Sequence, residues 1–445
     1  MIARPPLAAD LPHFRLPHCL QAQLGNGLEI LAVHDDRLPL VHLRLGFPAG
    51  AKFDPAELRG LSETTAALLT QGTLQRSARQ IAERVAELGA SLRAHSGADS
   101  LVVEGSVLSE NLDAFLELVA EVVRVPVFPE EEVNLRKNNR RQELLAQRAL
   151  ADFLAQEKAA ELVFGPHPYA RQEPTLETID RLDRSAIAAF HERHLSPSRG
   201  ILVLVGALPR FEELLGRLDG ALGDWAPKPA QDGETAAPPP PRRVIALIDR
   251  PGSVQADVRI GRLAVTRTDP DYFPLLVATT VLGGGASSRL FTDIREKRGY
   301  AYDAHSVLTA YREAALVEVV TQIRNEVLAD ALAAVLEHME RIGREPVAAD
   351  ELETARNYLC GVFVIRLETL HGLASQLAAT RLLGLPLDYL EQYANRIRAQ
   401  EAGHVQAAAA RHLTPGDAAI VVVGDAERIG PALEEFGSVQ YEKAP

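Results

Sequence analysis

The sequence predicts an α+β protein of two duplicated α/β halves, each an antiparallel or mixed sheet with helices packed on one face, joined by a Pro-rich linker. Three observations carry that prediction. The chain has 445 residues, more than one ordinary hydrophobic core accommodates. Its composition breaks once, from Trp225 to Arg243, where Pro238-Pro239-Pro240-Pro241 excludes helix and central strand and favours a stiff, extended connector. The two sides of that break echo each other. His194-Leu195-Ser196-Pro197 precedes the apolar run Ile201–Gly206, and His412-Leu413-Thr414-Pro415 precedes Ile420–Gly424, with an offset of 218 for both the His and the closing Gly. A register kept over that distance marks a repeat. The expected units are 1–224, a linker over 225–243, and 244–445.

The elements follow from periodicity. Each apolar run closed by Gly reads as a buried strand. Val41-His42-Leu43-Arg44-Leu45 alternates, as a half-buried strand does. Ser77 is positioned to cap a helix whose Ile81, Val85 and Leu88 share a face and which Gly89 ends. Ser109 opens another, with Leu112, Phe115, Leu116, Val119 and Val123 inward, and Leu101 to Val107 forms a strand between the two. A long helix is expected from Glu130 to about Phe164, and one more over about 180–194. The second half repeats the order: a strand near 254–261, helices near 271–282 and 287–298, a strand near 315–323, a helix near 326–342, a long helix from about 350, and a final strand. Irregular alternation with paired long helices points to α+β layers.

Composition excludes several function classes. Hydrophobic content of 47% and charged content of 24% are ordinary for a globular protein. A net charge of −13 argues against nucleic acid and favours cationic partners. Six of the 47 basic residues are Lys, a bias read as codon usage and not as phosphate binding. Cys19 and Cys360 make no disulfide framework and read as small buried hydrophobes. Met1 to Leu20 has its apolar runs broken by Asp10, His13 and Arg15, so no secretory signal is expected; no apolar run reaches membrane-spanning length, and cytoplasm is the default.

Some tempting motifs fail on their chemistry. Gly283-Gly284-Gly285 lacks the following Lys-Ser/Thr of a phosphate loop, and Ser288 stands where the last Gly of a dinucleotide fingerprint belongs. Those glycines either let a loop pass close to a bound peptide backbone or turn between two helices. His191-Glu192-Arg193-His194 has its imidazoles at i, i+3, where a helical zinc motif needs i, i+4, and no acidic third ligand is identifiable. His95 and Asp99 read as surface residues beside a strand.

Several blocks in order give the chain a family resemblance. Gly60-Leu61-Ser62-Glu63-Thr64-Thr65-Ala66-Ala67-Leu68-Leu69-Thr70-Gln71-Gly72-Thr73 resembles the inverted zinc helix of the pitrilysin and mitochondrial-processing-peptidase family, which reads G-x-x-H-x-x-E-H and ends on G-T. Arg250-Pro251-Gly252-Ser253-Val254-Gln255, Asp269-Pro270-Asp271-Tyr272-Phe273, Leu282 to Phe291 and Ile294 to Tyr302 resemble that family's C-terminal blocks; Arg76-Ser77 and Gly165-Pro166-His167-Pro168-Tyr169 fit its first half. On this resemblance Glu63 falls on the first zinc His, Ala66 on the general-base Glu and Ala67 on the second His. Glu143, 76 residues beyond Ala67, falls on the third ligand. One ligand position of three survives and the base is gone, so the resemblance implies no metal and no cofactor bound by this chain. Glu63 and Glu143 without imidazole would suit Ca or Mg better than Zn, and read as a vestigial polar pocket.

The resemblance also implies an Arg and a Tyr, here Arg295 and Tyr302, that reach a zinc-bearing domain and grip the substrate backbone. A fixed guanidinium with a phenol O–H is a preorganised electrophilic clamp. The competing reading is a solvated Arg in a charged run and a core Tyr; the flanking blocks favour the clamp. Gly283, Gly284 and Gly285 are the accompanying substrate-binding candidates. The function implied is a non-catalytic, substrate-binding subunit of a two-component zinc metallopeptidase. Its partner would be a homologous zinc-bearing subunit, or a second copy, and its substrate an unfolded peptide; precursor processing for pyrroloquinoline quinone is a minor option. The alternative is a structural or chaperone-like subunit resembling the core proteins of the respiratory bc1 complex.

Overall fold

Two six-stranded sheets organise the computed structural model, which describes residues 16–229 and 235–444. Residues 1–15, on which most of the no-signal reading rests, 230–234 of the Pro-rich stretch, and 445 lie outside the described residues. The first sheet contains β1 (Cys19–Gln23), β2 (Glu29–His34), β3 (Leu40–Phe47), β4 (Ser91–Ser96), β5 (Leu101–Leu108) and β6 (Ile201–Gly206), in the order β1-β2-β6-β3-β5-β4. The second contains β7 (Val244–Asp249), β8 (Gln255–Ala264), β9 (Ala301–Ala310), β10 (Ala315–Arg324), β11 (Ala419–Gly424) and β12 (Val439–Lys443), in the order β12-β7-β11-β8-β10-β9.

From the second position on, the two orders are the same. β2 and β6 are parallel, as are β7 and β11, and the remaining three pairings in each sheet are antiparallel. Only the first edge differs: β1 runs antiparallel to β2, whereas β12 runs parallel to β7. The duplicated runs are β6 and β11, buried at every residue.

Fifteen α-helices, besides shorter 3-10 turns and one π-helical segment, complete the described residues. In the first half they are α1 (Leu61–Leu68), α2 (Ala78–Glu87), α3 (Leu112–Arg124), α4 (Glu130–Arg148), α5 (Ala151–Phe164), α6 (Leu176–Arg181), α7 (Arg184–His194) and α8 (Phe211–Leu222). In the second they are α9 (Tyr272–Gly283), α10 (Leu328–Arg344), α11 (Ala349–Leu367), α12 (Leu370–Leu382), α13 (Asp388–Arg398), α14 (Ala402–His412) and α15 (Ala426–Glu434). Ser77 caps α2 reciprocally with Gln80, and Gly89 leaves the helix with φ +58°.

The helix expected over 130–164 is instead two, broken where Leu150 adopts φ −94°, ψ 125°. Neither Pro nor Gly marks that break, so tertiary packing imposes it. The helix expected over about 180–194 is α7, which starts at Arg184, where Asp183 accepts a 2.8 Å bond from Ala186 N–H. The stretch expected as a helix over 287–298 carries a π-helical segment, Phe291–Lys297.

The break at Leu150 lets α5 cross to the other half. Leu154, Ala155 and Ala159 of α5 pack on Ile248, Val421 and Val423 of the second sheet. The exchange is reciprocal, because Leu373, Ala374 and Leu377 of α12 pack in one core with Leu31, Val33, Val203 and Val205 of the first sheet. Each half's own helices therefore cover one sheet face, as expected, and a helix of the opposite half covers the other. Ile30 and Ala32 face the home core while Leu31 and Val33 face α12. Strands buried on both faces read as continuous apolar runs, which is why β2, β6, β7 and β11 show no alternation.

Charge also crosses between halves. Arg44 of β3, opposite Val203, pairs with Glu104 at 2.8 Å and reaches Ser375 of α12. At the equivalent place Arg259 of β8, opposite Val421, pairs with Glu318 at 3.4 Å and with Asp152 of α5 at 2.8 Å. Glu29 of β2 receives Arg381 of α12 at 2.8 and 3.2 Å. The duplicated histidines have diverged: His412 pairs with Asp271 at 2.8 Å, and His194 lies between the rings of Phe190 and Phe53, tilted to both.

Candidate functional site

The π-helical segment delivers Arg295. Ile294 is fully buried and anchors it, and Asp293 is held by His338 at 2.9 Å and Arg298 at 3.0 Å. The chain then turns at Gly299, φ +63°, a conformation that favours Gly, and Tyr300 N–H closes the turn on the Ile294 carbonyl at 2.9 Å. Tyr302 follows at the start of β9. There the register with β10 slips: Thr321 faces Ala304 and Ile323 faces Ala301, so Tyr302 and Asp303 together oppose Gln322. A bulge of this kind re-aims a side chain. Tyr302 is 80% exposed.

The two residues meet. The Arg295 guanidinium lies 5.0 Å from the Tyr302 ring centre and 4.4 Å from that of Phe291. It is thus held by two aromatic rings and, among the described residues, by no carboxylate, leaving N–H groups for an external acceptor. Phe291 is a site residue that the sequence reading passed over. The signal was its place four residues before Arg295, one helical turn away. β9 is the last strand of its sheet, so its outer edge has no strand partner among the described residues.

The helix aligned with a zinc motif is α1. Ala66 is buried in the first core and Ala67 is half-buried beside a cavity of about 430 Å³ that Glu63, Glu143, Arg136, Arg140 and His95 also line. Glu63 accepts from Arg136 Nη2 at 2.6 Å and from Arg140 Nε at 3.1 Å. Arg136 Nη1 reaches Glu143 at 3.2 Å, and Arg140 Nη2 reaches Glu173 at 2.7 Å. Glu63 and Glu143 are therefore bridged by a guanidinium. The aligned ligand positions hold carboxylates already neutralised and no imidazole, and His95, the histidine lining the cavity, lies 3.9 Å from Glu104, so this set does not fit zinc. Among the described residues no group of three or more His, Cys, Asp or Glu could hold a metal ion. Beneath α1, burial pushes the Asp54 carboxyl up to about 7, although Ser62 and Gly60 N–H groups donate to it at 2.8 and 2.9 Å.

The glycines divide. A Cβ on Gly283 would stand 2.3 Å from Ser306 N of β9, and one on Gly284 would stand 2.6 Å from Thr280 Cα, so their freedom serves the end of α9. Gly285 opens instead onto a groove beside Tyr358. His95 lies on β4 with burial lowering its imidazole. Asp99 corrects the surface reading. It is an inter-half tie, accepting from Tyr169 Oη and, at 2.9 Å, from Arg312 N–H, with Lys52 3.8 Å away. His191 bonds the Val123 carbonyl at 2.7 Å, a structural role. Cys360 is buried, and Cys19 is half-buried, contrary to its core reading. No helix among the described residues is long and apolar enough to cross a membrane.

Comparison with known proteins places these features. Residues 29–172 match the family profile described as insulinase (peptidase family M16), and residues 181–359 match the one described as peptidase M16 inactive domain. An uncharacterized zinc protease of Streptomyces coelicolor is 25% identical over 344 residues, covering 75% of this chain and 74% of that protein. One of Bacillus subtilis is 22% identical over 399 residues, covering 89% and 96%. The crystal structure of a peptidase M16 inactive domain from Pseudomonas fluorescens superposes with a TM-score of 0.85 at 27% identity, covering 92% of this chain and 98% of that one. A Helicobacter pylori protease gives the same TM-score at 18% identity, covering 92% and 100%, a likeness of fold.

Proposed function

Because the chain belongs to the M16 peptidase family, pitrilysin- and insulinase-like, we propose that it is the non-catalytic, substrate-binding subunit of a two-component zinc metallopeptidase, cleaving peptides in a chamber shared with a zinc-bearing partner. One contrast within the chain supports this most strongly. The zinc-helix position is filled by Ala66, Ala67 and a Glu63 tied to two arginines, while Arg295 and Tyr302 stand together and reachable at a sheet edge.

In this reading an unfolded peptide adds as a strand along the free edge of β9, and of the three glycines proposed to bind substrate, Gly283, Gly284 and Gly285, the last opens onto a groove. Arg295 N–H groups and the Tyr302 hydroxyl donate to the backbone carbonyl where negative charge builds during attack, a stabilisation that needs no reorganisation because Phe291 and the bulge preset both groups. The partner would supply the zinc and the water it activates. The test is reconstitution. The chain alone should hold less than stoichiometric zinc and cleave no peptide, and peptidase activity should appear on mixing with the zinc-bearing homologue of the same organism. Chelator-sensitive turnover by the chain alone overturns the proposal, and a stable but inactive assembly turns it toward a structural subunit.

A further inference from the structure

Away from the clamp, a cavity of about 340 Å³ opens in the second half between α9, β9, α11, α12 and α13. Its charge is one-sided. Arg267 and Arg366 line it, and no Asp or Glu does, in a chain whose net charge is −13. Arg267 lies over the Tyr272 ring at 5.4 Å; burial works against its charge, and its ionisable neighbours are the phenols Tyr272, Tyr389 and Tyr393, with no carboxylate among them. Stacking on a ring offsets only part of the cost of withdrawing a guanidinium from water. Arg267 Nε has no hydrogen-bond partner among the described residues, and the Tyr389 hydroxyl reaches only Arg267 and Tyr272, which line the same cavity. Burial pushes Tyr272 up to about 12, so its hydroxyl stays protonated and remains a donor. The remaining wall is mixed: Leu276, Leu383 and Leu390 form an apolar part, and Thr279, Thr280 and Gln376 add uncharged polar groups.

We propose that this cavity binds an organic carboxylate carried on an apolar body. The carboxylate would sit on Arg267 between the Tyr272 and Tyr389 hydroxyls, and the body against the three leucines. Convergent donors beside an apolar surface are the usual make-up of a site for such a ligand. The carboxylate has two possible sources, a free small molecule or the C-terminus of a peptide, because Ser306, Val307 and Leu308 of β9 form one wall.

The experiment titrates the full chain with 3-phenylpropionate and with 3-phenylpropionamide by calorimetry. The acid should bind at least about tenfold more tightly than the amide, since only the acid pairs with a guanidinium. Arg267→Gln should erase that preference while the circular dichroism spectrum stays the same, and Arg366→Gln, at the exposed rim, should reduce it less. Equal affinity for acid and amide, no saturable acid binding, or an unchanged preference in Arg267→Gln overturns the proposal. If Arg267→Gln fails to fold, the acid-to-amide comparison in the unaltered chain still decides. A short peptide ending in Phe, with free or amidated C-terminus, separates the sources. Competition by the free acid alone assigns the ligand to a chain terminus, and phenylpropionate binding without such competition assigns it to a small molecule.

Discussion

Gly46 of β3 leaves the space that Leu382 of α12 fills: a Cβ on Gly46 would stand 2.6 Å from Leu382 Cδ1. The first sheet is thus shaped for a helix that arrives more than 300 residues later in the chain. Gly46→Val should destabilise by about 1–3 kcal/mol through overpacking, and Leu382→Ala by about 2–5 kcal/mol through the cavity it leaves. The double variant should lose clearly less than the sum, because the valine refills the vacated volume. Urea denaturation measures all three, and strict additivity would refute the contact.

Arg295→Ala and Tyr302→Phe should each lower turnover of the reconstituted peptidase on the order of 10²-fold, the scale of one lost oxyanion donor. Assembly and zinc content should not change. Phe291→Leu removes one of the two rings flanking Arg295 and should lower turnover less than Arg295→Ala does. Full turnover in both the Arg295 and Tyr302 variants rules out the clamp.

Rebuilding the metal motif by Glu63→His, Ala66→Glu and Ala67→His should not suffice for tight zinc binding. Arg136 would still place its charge beside the rebuilt ligands, where it now joins Glu63 to Glu143. Adding Arg136→Gln should tighten zinc on the order of tenfold or more, by removing a like charge within a few ångströms of the ion. Competition against a chromophoric chelator measures this. Equal affinities with and without Arg136 would contradict the electrostatic account.

Asp271 supplies a pH dependence with a definite sign. Its bonds to Arg411 and His412 hold the carboxyl at about 2, below the ordinary value of 3.8. A depressed folded value stabilises the protein above the unfolded one and loses that contribution as pH falls from about 4 through about 2. Asp271→Asn should lower the melting temperature near neutral pH and have a shrinking effect down that acid limb. A constant difference from pH 6 to pH 2 would count against the pairing.

Local chemistry made much of this legible. The Ser77 cap, the Gly89 stop and the inward face of Leu112, Phe115 and Val119 depend on neighbours within a few residues, and they stand where periodicity puts them. The 218-residue echo located two strands, β6 and β11, that are central to their sheets. Other strands were passed over. β2 and β7 are apolar on both faces, and β4, at an edge, is mostly polar. At the candidate site Arg295 and Tyr302 could be singled out, but their convergence could not. It depends on a π-helical turn and a bulge opposite Gln322, which neither residue's own sequence neighbourhood encodes.

By itself the sequence determined the duplication, the α+β class, and the replacement of a metal helix's ligands by Glu63, Ala66 and Ala67. These are matters of residue identity and short-range period. Only the tertiary structure decided that α5 and α12 change places between halves, that Arg136 bridges Glu63 and Glu143, and that Asp99 is an inter-half tie. The physical reason is the sheet's second face. Once each half's own helices cover one side, the exposed apolar side is buried by whichever helix reaches it, and that choice is made by shape and charge over hundreds of residues, beyond the reach of any local pattern.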